Sequence, residues 1–167
     1  MRAVRPTVAL LVLAIAALPA WGRGNISHFI DQMACDSGPY ALKLPKTYAE
    51  LRKLGTLKAE RLVREEELAE YKARYVDLIF NGLRLGVVTY SNDPEHYQVT
   101  SAEIRSSQWH IAGPLRTGHP LPPRVGDVET KTLSSSATVE FSGEEDTLRV
   151  KLSGRRVSVL TYLCVAD

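Results

Sequence analysis

The chain has 167 residues, with 21 Lys+Arg against 19 Asp+Glu and two cysteines. Arg2 and Arg5 belong to a leader, so the chain from residue 23 onward carries 19 charges of each sign and is formally neutral. Neutrality excludes the clustered basic excess that nucleic-acid binding needs, and it gives no pull toward anionic lipid.

The leader has the three parts of an export signal. Arg2 and Arg5 form the positive start, Thr7 to Ala17 the apolar run, and Ala20-Trp21-Gly22 puts small residues where a signal peptidase cuts. Cleavage after Ala20 fits nearly as well. The run ends at Pro19 and Arg23, short of the roughly 20 apolar residues of a membrane span. Residues 1–22 are therefore expected to be a cleaved signal peptide. Residues 23–167 are then one soluble periplasmic domain with no membrane anchor, large enough to bury a core.

Cys35 and Cys164 sit near the two ends of that domain. In an oxidising compartment such a pair reads as one disulfide, which loop-closure entropy values at roughly 4–5 kcal/mol. The alternative, a catalytic or metal-binding thiol pair, lacks a CxxC spacing or a neighbouring histidine set.

Residues 23–43 are rich in turn formers, although Ile26 to Met33 suits a turn or two of helix. Thr47 to Glu50 matches a capping box, Tyr48, Leu51 and Leu54 follow at helical spacing, and Gly55 supplies a stop. Over 58–72 the propensity favours helix, yet its tail alternates toward a strand, and the two readings stay open. Val76 to Phe80, Asn81-Gly82 and Leu83 to Tyr90 form a strand, a hairpin signal and a return strand. Tyr97 to Ile111 is read as a third strand. The segment 113–124 (GPLRTGHPLPPR) is a long loop, with a helical turn expected near Leu121 to Gly126. Strands follow at Ala137 to Phe141, Thr147 to Leu152 and Val157 to Val165, with a tight turn at Ser153-Gly154.

Phe80 and Gly82 recur as Phe141 and Gly143, both at an offset of 61 residues and both before a hydrophobic return strand. This suggests two helix-plus-meander units, about 44–111 and 112–165. The expected fold class is α+β, one antiparallel sheet with short helices on one face.

The pieces TYAELRKLG, IFNGL, VVTYS, SAEIRSSQWHIAG and LRVKLSGRRVSVLTY, over roughly 44–165, resemble small exported proteins of the β-lactamase-inhibitor-like fold. That resemblance implies non-catalytic protein binding by the sheet and its loops, as in inhibitors, immunity proteins and envelope assembly factors. The second unit departs from the pattern, because the proline-rich 113–124 stands where a helix would be.

No catalytic signature is present. His28, His96, His110 and His119 lie in different elements, without HxH or HExxH spacing. Ser134 to Ser136 lacks a GxSxG frame and reads as turn chemistry. Glu65-Glu66-Glu67 and Glu144-Glu145-Asp146 are consecutive, so their carboxylates point different ways. No catalytic residue, metal site or cofactor is assigned.

The candidate partner-binding residues lie on two loops. Trp109, His110, Arg116 and His119 surround the proline-stiffened segment, since a rigid loop loses less entropy on docking. Trp109 reads equally as a core residue. Tyr90, Asp93, His96 and Tyr97 frame a second loop, expected on the same surface if both lie on one edge of the sheet. The resulting expectation is a periplasmic immunity protein or inhibitor that neutralises an envelope-acting hydrolase or toxin. The alternatives are an envelope assembly factor and an enzyme with dispersed catalytic residues.

Overall fold

The computed structural model describes residues 42–111, 115–125, 128–142 and 146–164. The leader, Ile26 to Met33, His28 and Cys35 lie outside the described residues, as do Gly143 to Glu145 and Val165.

Helix α1 (Tyr48–Leu51) is a single turn, capped by the Thr47 hydroxyl accepting from the Glu50 N–H at 3.3 Å. The strands are β1 (Ala59–Glu67), β2 (Lys72–Phe80), β3 (Leu83–Tyr90) and β4 (Asp93–Ile104), then the two-residue β5 (Arg124–Val125) and β6 (Val128–Glu129). They continue as β7 (Thr138–Ser142), β8 (Thr147–Ser153) and β9 (Arg156–Leu163). Among the described residues, seven form one antiparallel sheet in the order β1-β2-β3-β4-β9-β8-β7, and β5 pairs with β6 in a separate two-stranded sheet.

Among the described residues the fold is thus almost wholly sheet, and the expectation of helices along one face is corrected. Loops take the place of those helices. The inner face carries Val76, Leu78 and Phe80 of β2, Leu83, Leu85 and Val87 of β3, and Ile104 of β4. Across the sheet it continues with Leu160 and Tyr162 of β9, and Leu148, Val150 and Leu152 of β8. Over it lie Leu51 of α1, then Ile111, Leu115 and Val125 from the loops, with Leu42, Leu44 and Leu57 packed against the cluster. Each buried aliphatic contributes roughly 1.5–3 kcal/mol, so these loop residues are core and not trim.

The segment left open, 58–72, is an edge strand. Its register with β2 puts Glu60 opposite Leu78 and Arg64 opposite Tyr75, with a bulge at Val63. Helix propensity loses because most of the charged side chains find partners across the fold. Arg64 stacks 3.8 Å over the Tyr75 ring, and Glu60 accepts from Arg52 at 2.8 Å. Glu65 meets Arg74 and Glu67 meets Lys72. Charge and bulge together also discourage a further strand from adding to this edge.

On the outer face the registers align Arg84, Glu103, Thr161, Arg149 and Glu140 in one row across five strands. Asp77, largely buried, takes the Arg84 guanidinium at 2.5 Å. Its bond and charge hold Arg84 above its ordinary pKa.

Several boundaries differ from expectation for local reasons. β4 ends at Ile104, not Ile111, because β3 begins at Leu83: the Arg105 N–H makes a last rung to Gly82 O at 2.8 Å, and beyond it the chain meets the β2–β3 turn. Near Leu121 to Gly126 there is no helical turn among the described residues. The Pro122 and Pro123 carbonyls accept from the Thr130 hydroxyl and N–H, and the short 3-10 turn follows at Thr130–Thr132. The last hairpin pairs Ser153 with Arg156, so its loop is Gly154-Arg155, both at positive φ of 56° and 62°. That is the mirror-image turn that matches strand twist, and it places a non-glycine residue in the left-handed region. Arg155→Asn should raise stability by about 0.5–1 kcal/mol, read as a higher Tm, because asparagine tolerates this conformation. An unchanged or lower Tm would show that the turn is unstrained.

Candidate functional site

The two candidate loops occupy opposite ends of the sheet, which corrects the expectation of one surface. Tyr90 pairs with Asp93 at the tip of the β3–β4 hairpin. The other group gathers where β4 ends, near the β2–β3 turn and the start of β9. The eight residues of β3 alone separate the ends by roughly 25 Å.

At the hairpin end the side chains mostly serve each other. The Tyr90 hydroxyl donates to Gln98 Oε1 at 3.1 Å, and its ring meets Tyr71 edge-on at 5.5 Å. Burial, then the neighbouring Tyr75 and Tyr71, push the Tyr90 phenol up from its ordinary pKa. His96 Nδ1 lies 2.7 Å from Asp93 Oδ1 on the exposed start of β4. The Tyr97 hydroxyl donates to the Pro45 carbonyl, which clamps the segment before α1 onto β4. Tyr97 is therefore a structural residue. Asp93 and His96 form an exposed, mutually bonded polar pair at this end.

The opposite end is built around one tight turn. Gly82 takes φ +72°, and a Cβ there would lie 2.4 Å from Ser106 Cβ. Glycine thus permits both the turn and the close approach of the chain leaving β4. That chain, Arg105 to Trp109, wraps the turn, and the Trp109 indole N–H donates to Asn81 O at 2.6 Å. The Gln108 amide donates to the same carbonyl at 2.7 Å. Half-buried Trp109 also rests on Phe80, ring centroids 6.0 Å apart. Trp109 is thus core on one side and lines an open depression with Gly55, Thr56, Asn81 and Gln108 on the other. His110 is exposed and the next residue, Ile111, is buried.

The described part of the proline-rich loop is pinned to β9. The Gly118 N–H donates to Val157 O at 2.8 Å, and the Val157 N–H donates to His119 O at 2.9 Å. Arg156 adds a guanidinium bond to Gly118 O at 2.8 Å, and Pro120 bridges to Arg156. The segment takes the place beside β9 that β4 vacates. Leu115 and Thr117 are buried, and Arg116 and His119 between and after them are exposed. Removing residues 115–122 would therefore strip the core, and the loop must be probed by single side chains.

Among the described residues no cluster of three His, Cys, Asp or Glu is placed to hold a metal ion, and no thiol is free. Cys164 follows β9, its N–H donating to Thr100 O at 2.9 Å. The carboxylates of β1 alternate sides and pair with different cations, as their consecutive spacing implies. Sequence reasoning missed Asn81, Gln108 and Gly55 as parts of a site. Gly55 looked like a helix stop, and nothing in the linear order brings it to the indole. No family model, curated protein or solved structure matches the chain.

Two phenols give a measurable signature. Burial raises Tyr97 to about 12, and burial followed by the Glu60 charge and hydrogen bond raises Tyr48 to about 12. A folded pKa above the unfolded value of 10 means that the unfolded chain loses these protons first. Their stabilisation is complete below pH 10 and is lost as pH rises through the folded value near 12. In a titration followed by phenolate absorbance, Tyr97→Phe should delete one late-ionising group and lower stability by about 1 kcal/mol. Loss of an ordinary group instead would show that Tyr97 is not the buried phenol.

Proposed function

We propose that the chain is an exported, non-catalytic protein-binding protein of the periplasm, an immunity protein or inhibitor that neutralises an envelope-acting hydrolase or toxin. The observation that carries this reading is the pinned loop. A proline-stiffened segment fastened to β9 at Gly118 and His119 presents Arg116 and His119 to solvent with little entropy left to lose. Arginine is also a frequent interface hot spot. His110 lies at the same end and extends the surface. Asp93 and His96, at the far end, would serve a second contact and not the same one.

The strand order supports an internal repeat. Two meanders, β2-β3-β4 and β7-β8-β9, stand back to back across β4 and β9. α1 precedes the first and the 3-10 turn at Thr130–Thr132 precedes the second. This is the arrangement that a duplicated β-lactamase-inhibitor-like unit would give, with the second helix reduced to one tight turn. Cleavage of residues 1–22 and a Cys35–Cys164 disulfide complete the proposal. The exported chain should be lighter by the leader and by two hydrogens, and reduction should restore the latter. An unchanged mass on reduction would remove the disulfide from the account.

The binding test is an affinity capture from envelope extract with the exported, oxidised protein. It is run beside an Arg116→Ala/His119→Ala double variant, whose changes are both exposed. One stoichiometric hydrolase or secreted toxin, weakened roughly tenfold or more in the double variant, is the expected result. Undiminished capture by the variant would overturn the assignment of the loop. Capture of assembly-machinery proteins alone would favour an envelope assembly factor.

A further inference from the structure

The depression beside Trp109 has a chemistry that the loop reading does not use. Its lining is one indole, two side-chain amides, one hydroxyl and a glycine: Trp109, Asn81, Gln108, Thr56 and Gly55. None of these carries a charge. Each amide is held in place through one of its two polar groups. Gln108 Nε2 donates to Asn81 O at 2.7 Å, and Asn81 Oδ1 accepts from Lys58 Nζ at 3.1 Å. Gln108 Oε1 and Asn81 Nδ2 remain as an acceptor and a donor that no described residue engages, with the Thr56 hydroxyl beside them. The indole is fixed in turn by its bond to Asn81 O at 2.6 Å. A Cβ at Gly55 would come within 3.2 Å of indole Cη2, so glycine keeps the ring's six-membered edge open to the depression.

We infer that this depression is a saccharide-binding site. A pyranose has an apolar C–H face, which suits an indole, and a rim of neutral hydroxyls, which suits partly used amides offering both a donor and an acceptor. An anionic ligand would want a cation in the lining, and no cationic side chain lines the depression; Lys58 keeps its charge but meets the lining only through Asn81 Oδ1 at 3.1 Å. A peptide anchored by an apolar side chain would want an enclosed apolar pocket, and this depression is open with a mixed polar and apolar lining. The groups are set before binding, so little ordering entropy is lost on docking. The site is independent of the loop carrying Arg116 and His119, and each can fail without the other.

The test is a titration of tryptophan emission in the full chain carrying Trp21→Phe, which leaves Trp109 as the only tryptophan. The probes are triacetylchitotriose, maltotriose and a neutral tripeptide such as Ala-Thr-Ala. The expected result is a saturable emission change with at least one trisaccharide and none with the tripeptide. It should weaken roughly tenfold or more in Gln108→Ala, which alters one exposed side chain, and in Gly55→Val, which fills the space beside the ring's Cη2–Cζ2 edge. Circular dichroism checks the fold of the second variant, and Gln108→Ala decides if it fails. No response to either sugar, a response to the tripeptide alone, or sugar binding undiminished in Gln108→Ala would each overturn the inference.

Discussion

Among the described residues, four pairs join the two halves of this sheet, from Ser101–Leu163 to Ile104–Leu160. Everything else about the molecule is arranged around that short seam. Below it Ala102, Ile104, Leu160 and Tyr162 are buried, and above it Glu103 stands opposite Thr161 in the charged row. A seam of four pairs between two twisted meanders is a weak joint by backbone alone, and both of its ends are reinforced. At one end Cys164 N–H continues the pairing to Thr100 O. At the other, Gly118 and His119 take over from β4 and bond to Val157. The described part of the proline-rich loop consequently extends the pairing along β9. The same bonds that complete the joint fix the geometry in which Arg116 and His119 are displayed.

That double duty explains why the loop can be stiff and yet exposed. Its alternate residues go in opposite directions, Leu115 and Thr117 inward and Arg116 outward, as on a strand. Burial of Leu115 in the common core supplies the energy that holds the display. A partner that contacts Arg116 therefore meets a surface whose position is already determined by the core. Mobility at this end would weaken the seam before it weakened any interface.

The strands were legible where sequence pattern and burial coincide. β2, β3, β8 and β9 alternate or run apolar, and Asn81-Gly82 marks the turn between the first two. β1 was not legible, because its residues are strand only by virtue of β2. Arg64 needs Tyr75 and Glu65 needs Arg74, and neither partner is local to it. Helix propensity, a local quantity, pointed the other way. The covering of the inner face was illegible for the same reason. Ile111, Leu115 and Val125 are isolated apolar residues in loop-like sequence, and only the fold assembles them over one sheet. The candidate residues sorted by end of the sheet, a property of register that spacing along the chain does not carry.

The β2–β3 turn shows how much chemistry one tight hairpin concentrates. Asn81 O accepts from both Trp109 and Gln108, and Asn81 Oδ1 accepts from Lys58, so a single residue gathers three donors. Those donors come from the segment before β1 and from the segment after β4, which are far apart in sequence. Gly82 makes the convergence possible by admitting Ser106 where any side chain would exclude it. The turn therefore fixes Trp109 more firmly than core packing on Phe80 would by itself. An aromatic ring held at its N–H and open along its far edge is a surface prepared in advance. The physical case for recognition at this end of the sheet rests on that preparation, whichever neighbouring side chains a ligand engages.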